Sequence, residues 1–190
     1  MSIDQITTVI TSYKSDEKII KCLKSINNEC KIIVIENSTN ISFKENIEKN
    51  FFNTEVVIAG QNLGYAKGNN LGLSKVKTKY ALILNPDSEL EKNTLEKFLQ
   101  TANDIRDFAI IGPAIQDEKN LQNNSKLLKE VDTVKGFAMF LNLEQFKDIG
   151  FFDDNFFIYL EEIDLCKRLK DKNKKIFVDP KILVHHQGGV

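Results

Sequence analysis

The sequence predicts an α/β fold in which a mostly parallel sheet carries helices on both faces. Two observations support this prediction. Through the first half of the chain, short runs of apolar and β-branched residues alternate with segments whose apolar residues recur at helical spacing. Parallel strands need helical crossovers, so this alternation favours a parallel sheet that is covered on both sides. With 190 residues, the chain is long enough to form one domain with a sizeable core.

Each element follows from one of these two patterns. The apolar runs predict strands at 6–10, 32–35, 56–59, 80–84, 108–111, 137–141, 176–178 and 182–184. The helical spacing predicts helices at 15–28, 65–76, 95–102 and 161–172. The polar stretch 116–130 predicts an exposed loop. In sheets of this kind, ligands bind beyond the carboxyl ends of the strands, so the site is expected there.

Composition excludes several classes of function. There are 26 basic and 27 acidic side chains, giving a net charge of −1, so no overall field recruits nucleic acid. Three scattered cysteines without a CxxC spacing indicate a reducing cytoplasm rather than a disulfide framework or a zinc site. No secretory signal and no apolar stretch of about 20 residues is present. Peripheral attachment to the cytoplasmic face of an inner membrane stays open.

Polar triplets follow three of the predicted strands. They are Thr11-Ser12-Tyr13, Glu36-Asn37-Ser38 and Asn85-Pro86-Asp87. Any one of them is explained by helix caps and turns. Because the carboxyl ends of parallel strands share one edge of the sheet, the three together indicate a binding site.

A helix with glycine every fourth residue follows the third predicted strand. Gly64, Gly68 and Gly72 line one side of that helix, where each costs about 1 kcal/mol relative to alanine. Two explanations are open, namely close packing on the sheet and close approach of the backbone to a ligand's phosphates or sugar. The spacing is not GxGxxG, and no P-loop motif is present.

Carboxylates and histidines mark the end of the chain. Glu161, Glu162 and Asp164 open the last predicted helix, where they favour its macrodipole. Glu162 also shares a helix face with the apolar positions three and seven residues later, so it is a candidate general base lining a cavity. His185 and His186 follow a strand, and adjacent strand residues face opposite ways, so at most one enters the site.

These residues together resemble a known family. The matching segments are "TSYKSDEKIIKCLKSI", "VIENST", "QNLGYAKGNNLG", "LILNPD", "GFAMFLNLEQFKDIGFFDDNFFIYLEEIDLCKR" and "ILVHHQGG". In this order they resemble the family 2 glycosyltransferases of the GT-A, Rossmann-like fold, especially the rhamnosyltransferase-like branch. The resemblance covers nearly the whole chain.

The resemblance implies a role for each motif. Glu162 is implied as the catalytic base, and Mn²⁺ or Mg²⁺ is implied as the cofactor, held by Asp87 and His185. The implied donor-binding residues are Thr11, Ser12, Tyr13, Glu36, Asn62, Gly64, Gly68, Asn69, Asn70, Asn85 and Asp87. The chain departs from the family where it has Glu36 and Glu162 in place of aspartate, and where Asn85 replaces the first aspartate of a DxD element.

The implied activity is inverting transfer of a sugar from a nucleotide-diphosphate sugar, of dTDP-rhamnose or UDP-hexose type, to a glycan or lipid-linked acceptor. Residues 1–112 are the implied donor half and 113–190 the implied acceptor half. Relatives usually continue beyond the point where this chain stops, which leaves two alternatives, a C-terminally truncated chain and a naturally minimal protein. An alternative is a nucleotide-sugar-binding or assembly subunit. A sugar nucleotidyltransferase is a weaker alternative, because "TSYKSDEK" is not the glycine-rich, basic loop of those enzymes.

Overall fold

The computed structural model describes residues 2–114 and 127–187, in which nine strands form one sheet. The strands are β1 (Ile6–Ser12), β2 (Lys31–Glu36), β3 (Thr54–Ile58), β4 (Tyr80–Leu84), β5 (Ser88–Leu90), β6 (Ile110–Ala114), β7 (Lys129–Glu130), β8 (Ala138–Asn142) and β9 (Ile176–His186). The α-helices are α1 (Asp16–Ser25), α2 (Ile41–Asn50), α3 (Gly64–Leu73), α4 (Thr94–Ile105) and α5 (Glu161–Asp171). Short 3₁₀ helices span Ile3–Gln5 and Leu143–Phe146.

The sheet has a parallel half and a mixed half. Strands β3, β2, β1 and β4 are neighbours in that order, and all of these pairs are parallel. Next, β8 pairs antiparallel with both β4 and β6, and β9 pairs parallel with β6 but antiparallel with β5 and β7. The predicted α/β fold is confirmed. The antiparallel pairs all involve strands that follow β4, and such pairs need no helical crossover.

Helices cover both faces of the sheet, as predicted. On one face α1, α2 and α4 share a core in which Ile19, Phe43 and Phe98 are buried, and on the other α3 and α5 form a second core around Leu165. Alternate strand residues supply the two cores, because successive side chains point to opposite faces. No helix in the described ranges is long and apolar enough to span a membrane.

Some elements differ from the sequence prediction. Helix α2 was missed because its polar segment buries only two side chains, Phe43 and Ile47. The predicted strands at 176–178 and 182–184 are parts of the single strand β9, and Pro180 interrupts their apolar pattern. Of the predicted loop 116–130, residues 116–126 lie outside the described residues and Lys129–Glu130 form β7.

Candidate functional site

Buried polar atoms without a hydrogen-bond partner concentrate at the carboxyl edge of the parallel strands. In the described ranges they include Thr11 Oγ1 and Ser12 Oγ at the end of β1, Glu36 Oε2 at the end of β2, and Asn85 Oδ1 just after β4. Buried polar atoms in folded proteins are nearly always hydrogen-bonded. Four such oxygens thus lie at the edge where the sequence predicted a ligand site, and two of these residues, Glu36 and Asn85, line cavities there.

The largest cavity at this edge surrounds Glu36, and we call it the Glu36 cavity. It has a volume of about 540 Å³. Its lining residues are Lys14, Ser15, Asp16, Glu17, Lys18, Glu36, Ser38 and Asn40. Glu36 is only 2% exposed, and its Oε1 accepts a hydrogen bond of 2.5 Å from the Ser38 hydroxyl. Burial raises the pKa of this carboxyl, and the Ser38 hydrogen bond opposes the rise.

Asp87 is held at the edge by a tight turn. Ser88 N donates to Asn85 O at 3.1 Å, and asparagine followed by proline favours such a turn. The Asp87 side chain is 15% exposed and lies between a lysine and a histidine. Its Oδ2 lies 3.9 Å from Lys18 Nζ, and its Oδ1 lies 3.3 Å from His186 Nε2. The turn thus explains why an apolar strand ends by presenting a carboxylate.

The structure places His186, and not His185, beside Asp87. Strand β5 pairs with β9 so that Ser88 lies opposite His186, and the His186 ring stacks on Phe137 with centroids 4.7 Å apart. His185 points to the opposite face, where its Nε2 lies 3.0 Å from Glu91 Oε1. Because adjacent strand residues alternate in direction, the strand brings His186 to Asp87 and directs His185, which the resemblance implied as a metal ligand, to Glu91.

The side chains around Asp87 fit a divalent cation that receives most of its coordinating atoms from a bound phosphate compound and from water. Asp87 offers a carboxylate, Asn85 a buried Oδ1 without a partner among the described residues, and His186 an imidazole 3.5 Å from the Asn85 amide nitrogen. In the described ranges no group of three or more His, Cys, Asp or Glu side chains could hold a metal. Mg²⁺ usually takes one or two protein carboxylates together with phosphates and water, and carboxylate and carbonyl oxygens also suit Mn²⁺.

The glycine stripe on α3 serves packing. A Cβ at Gly68 would lie 2.5 Å from Thr11 Cγ2, and one at Gly72 would collide with Val9 Cγ1. Gly64 has a φ of +78°, and a Cβ there would collide with the backbone oxygen of Phe157. Of the two explanations that the sequence left open, the structure supports close packing at these positions.

The predicted asparagines around α3 differ in their contacts. Asn62 is exposed, and its Oδ1 accepts from Gly64 N and from the buried amide of Asn37, which fixes the turn into α3. Asn70 binds the backbone of Phe152 through both ends of its amide, so it anchors the segment before α5. Asn69 donates to Tyr65 O, and its buried Oδ1 has no partner among the described residues. None of the three asparagines lines the Glu36 cavity or the cavity at the start of α5.

A second cavity opens where α5 begins, and we call it the Glu162 cavity. Its volume is about 390 Å³. Its lining residues are Tyr65, Asn85, Lys135, Gly136, Phe137, Ile158, Tyr159, Glu161, Glu162 and His186. Glu162 is half-buried, whereas Glu161 is 5% exposed with its Oε2 unpartnered among the described residues. Burial raises the pKa of Glu161, so two adjacent carboxyls line this cavity in different environments.

Tyr65 connects α3 to this cavity. Its hydroxyl donates to Gly136 O at 2.6 Å, and its backbone N donates to Phe157 O at 2.7 Å. Burial raises the pKa of this phenol, and the Glu161 and Glu162 carboxylates raise it further. The Tyr65 hydroxyl therefore stays protonated at neutral pH and acts as a donor.

Tyr13 lies apart from both cavities. It is 43% exposed in the loop between β1 and α1, and Lys14 Nζ lies 5.2 Å from the centre of its ring. The structure thus brings Glu36, Asp87 and Glu162 to one edge of the sheet but divides the edge into two cavities, with Asp87 between them.

The fold and this edge together define a GT-A domain, and a solved structure shares the fold. The mannosyltransferase PcManGT from Pyrobaculum calidifontis, solved with GDP-Man and Mn²⁺, superposes with a TM-score of 0.77 at 11% identity, covering 93% of this chain and 55% of that one. The particular family follows from the sequence. The model for glycosyl transferase family 2 matches residues 7–166, so the chain belongs to that family.

Two curated relatives agree with this assignment. The low-salt glycan biosynthesis hexosyltransferase Agl10 of Haloferax volcanii is 26% identical, over 92% of this chain and 64% of its own length. The rhamnosyltransferase WbbL of Escherichia coli is 26% identical, over 85% of this chain and 75% of its own. The predicted resemblance to the rhamnosyltransferase-like branch is thereby confirmed. The chain spans about two thirds of the length of Agl10 and just over half of PcManGT.

Sequence reasoning missed several residues of this edge. Asn37 cross-links β2 to the turn before α3, Lys18 reaches Asp87 from α1, and Glu161 lines the Glu162 cavity. Asn37 belongs to the polar triplet after the second predicted strand, so the sequence did place it at the edge where the site was expected. The directions of Lys18 and Glu161 depend on how their helices pack, which the sequence did not reveal.

Proposed function

We propose that this domain transfers a sugar from a nucleotide-diphosphate sugar to an acceptor hydroxyl, with inversion at C1. One observation carries the proposal. Asp87 lies between the Glu36 cavity and the Glu162 cavity, since Lys18 from the first and His186 from the second both contact it. A donor with its nucleoside in the first cavity and its sugar in the second would pass its diphosphate beside Asp87.

The Glu36 cavity suits the nucleoside. Glu36 and Ser12 lie opposite each other in the β1–β2 register, and each has a buried oxygen without a partner among the described residues. Such oxygens can accept hydrogen bonds from a nucleobase N–H or a ribose hydroxyl. Thr11 packs against Gly68 and Tyr13 lies apart from the cavity, so the proposed nucleoside site rests on Glu36 and Ser12.

A bound Mn²⁺ or Mg²⁺ would neutralise charge on the diphosphate as it departs. Asp87, Asn85 and His186 are the residues proposed to hold it, with the remaining ligands coming from the diphosphate and water. PcManGT, which was solved with Mn²⁺, supports the choice of a divalent cation.

Glu162 is proposed as the general base. Its carboxylate takes the proton of the acceptor hydroxyl, and the hydroxyl oxygen bonds to C1 of the sugar. The bond from C1 to the diphosphate breaks, and its electron pair stays on the phosphate oxygen. Because the attack and the departure are on opposite faces of C1, one displacement inverts the anomeric centre. General base catalysis of this kind contributes about 10²- to 10⁴-fold in rate.

A separate cavity would give the acceptor access to Glu162. Glu162 and Lys135 also line a neighbouring cavity of about 340 Å³, whose lining does not include Asn85 or His186. Its other lining residues are Pro113, Ala114, Lys129, Thr133, Val134, Ile163, Val178 and Pro180. We propose that a glycan or lipid-linked acceptor enters through this cavity, and that 113–190 forms the acceptor half. We also propose that the protein works at the cytoplasmic face of a membrane. The relatives Agl10 and WbbL favour a hexose or rhamnose donor.

Release of nucleoside diphosphate from a panel of donors tests the proposal. The purified chain is incubated with Mn²⁺ and with UDP-glucose, dTDP-rhamnose or GDP-mannose, with and without saccharide acceptors. We expect one donor to be turned over, and we expect Glu162→Gln to slow turnover about 10²- to 10⁴-fold while nucleotide affinity stays within about twofold.

A matched control variant is Asp164→Asn, which removes a carboxylate from the same first turn of α5. In the parent, Asp164 Oδ2 lies 2.7 Å from Arg168 Nε, and neither residue lines the Glu162 cavity. This variant should keep the parent's turnover. Equal rates for Glu162→Gln and the parent would remove Glu162 from the mechanism. Nucleotide binding without turnover by the parent would favour a binding or assembly subunit.

A further inference from the structure

Lys18 reaches the edge of the sheet from the first turn of α1. Its side chain lines the Glu36 cavity, and its Nζ lies 3.9 Å from Asp87 Oδ2. The side chain is half exposed. Neither the family comparison nor the sequence motifs single out this residue.

The pair with Asp87 does little for stability. Half-exposed ion pairs near 4 Å are typically worth no more than about 1 kcal/mol, and many contribute nothing measurable. If the ion pair with Asp87 were its only role, replacing Lys18 would therefore change the free energy of unfolding very little. Its location suggests a different role, because it is the cation on the path that joins the Glu36 cavity to Asp87.

Lys18 is the basic side chain of the Glu36 cavity that contacts Asp87, in a lining whose other charges are mixed. The Glu36 cavity also contains Asp16 and Glu17, which disfavour phosphate at the rim, and Lys14, whose ammonium lies over the exposed Tyr13 ring. Lys18 therefore concentrates positive charge at the Asp87 end of the cavity. An ammonium there can donate up to three hydrogen bonds to phosphate oxygens.

We infer that Lys18 binds the diphosphate of the donor, at the phosphate nearer the sugar, and stabilises the leaving nucleoside diphosphate. This inference rests on the proposed function. When the bond from C1 to the phosphate oxygen breaks, the electron pair and the added negative charge remain on that oxygen, beside the Lys18 ammonium. The proton of the acceptor hydroxyl goes to Glu162, so Lys18 keeps its own protons throughout.

Calorimetry with nucleotides that differ by one phosphate tests this role. Affinities for UDP and UMP, and for the dTDP and GDP pairs, are measured in EDTA and in Mn²⁺. For whichever base binds, we expect Lys18→Gln to weaken the diphosphate about 5- to 20-fold in EDTA and to change the monophosphate less than about twofold. Lys18→Arg should recover part of the loss. Lys21→Gln, one turn further along α1 and outside the cavity lining, should match the parent.

Each other outcome has a definite meaning. If Lys18→Gln weakens mono- and diphosphates equally, or weakens neither, Lys18 does not bind the phosphate nearer the sugar and the inference is wrong. If the parent binds no nucleotide with any base, the proposed function fails and this inference fails with it. Thermal unfolding of each variant checks that the half-exposed substitution leaves the fold intact.

Discussion

Replacing Glu36 by glutamine should stabilise the fold while it weakens ligand binding. Glu36 is buried, one of its oxygens has no partner among the described residues, and burial raises its pKa above the ordinary value of 4.5. The folded state therefore holds the proton more tightly than the unfolded state. The contribution of Glu36 to stability is therefore greatest below about pH 4.5 and is lost as pH rises through the folded-state pKa, because the unfolded chain ionises first.

The magnitude follows from the unpaired oxygen. A buried polar group without a partner costs about 1–3 kcal/mol, more when it is charged. Glutamine keeps the acceptor for the Ser38 hydroxyl and replaces the charge with a neutral amide, which costs less to bury. We expect Glu36→Gln to gain about 1 kcal/mol at neutral pH, a rise in Tm of about 2–4 °C for a chain of this size.

Thermal unfolding by circular dichroism at about pH 4 and about pH 7.5 measures the effect. The variant should exceed the parent only at the higher pH, and its affinity for the preferred nucleoside diphosphate should fall about tenfold, since the nucleoside loses a charged acceptor. Glu45→Gln, at an exposed position of α2, is the control and should do neither. A variant that is less stable than the parent at neutral pH would refute the reasoning.

Two further substitutions test the packing of α3 and the cation site. Gly68→Ala should lower stability by about 1–2 kcal/mol, because its Cβ collides with Thr11 Cγ2 and overpacking outweighs the gain of about 1 kcal/mol in helix propensity. Adding Thr11→Ser removes that methyl group and should restore the Tm, whereas a stabilising Gly68→Ala would contradict the packing role. Asp87→Asn should abolish the Mn²⁺-dependent part of nucleoside diphosphate affinity in calorimetry with little change in Tm. Metal-dependent affinity equal to the parent's would exclude Asp87 as the ligand.

Local chemistry explains what could be predicted. Proline and asparagine fixed the turn that ends β4, so Asp87 could be placed at the edge before the structure was known. Strand–helix alternation likewise brought the end of β2, with Glu36, to the same edge. Both features depend on a few neighbouring residues and on the rule that parallel strands share an edge.

Long-range packing explains what could not be predicted. The choice between His185 and His186 depends on the register of β9 against β5, in a strand whose pairing with β6 is irregular near Ala114. The role of Gly68 depends on how closely α3 approaches β1, and the reach of Lys18 depends on the rotation of α1. Neither quantity is encoded in a short motif.

The contacts of α3 constrain how the segment before α5 could be exchanged between members of the family. Tyr65 and Asn70 hold the segment just before α5 at two points, through Phe157 and Phe152. A chimera that imported only that segment from another member of the family would therefore lose its anchors. A graft that carried α3 together with residues 151–160 would keep both anchors.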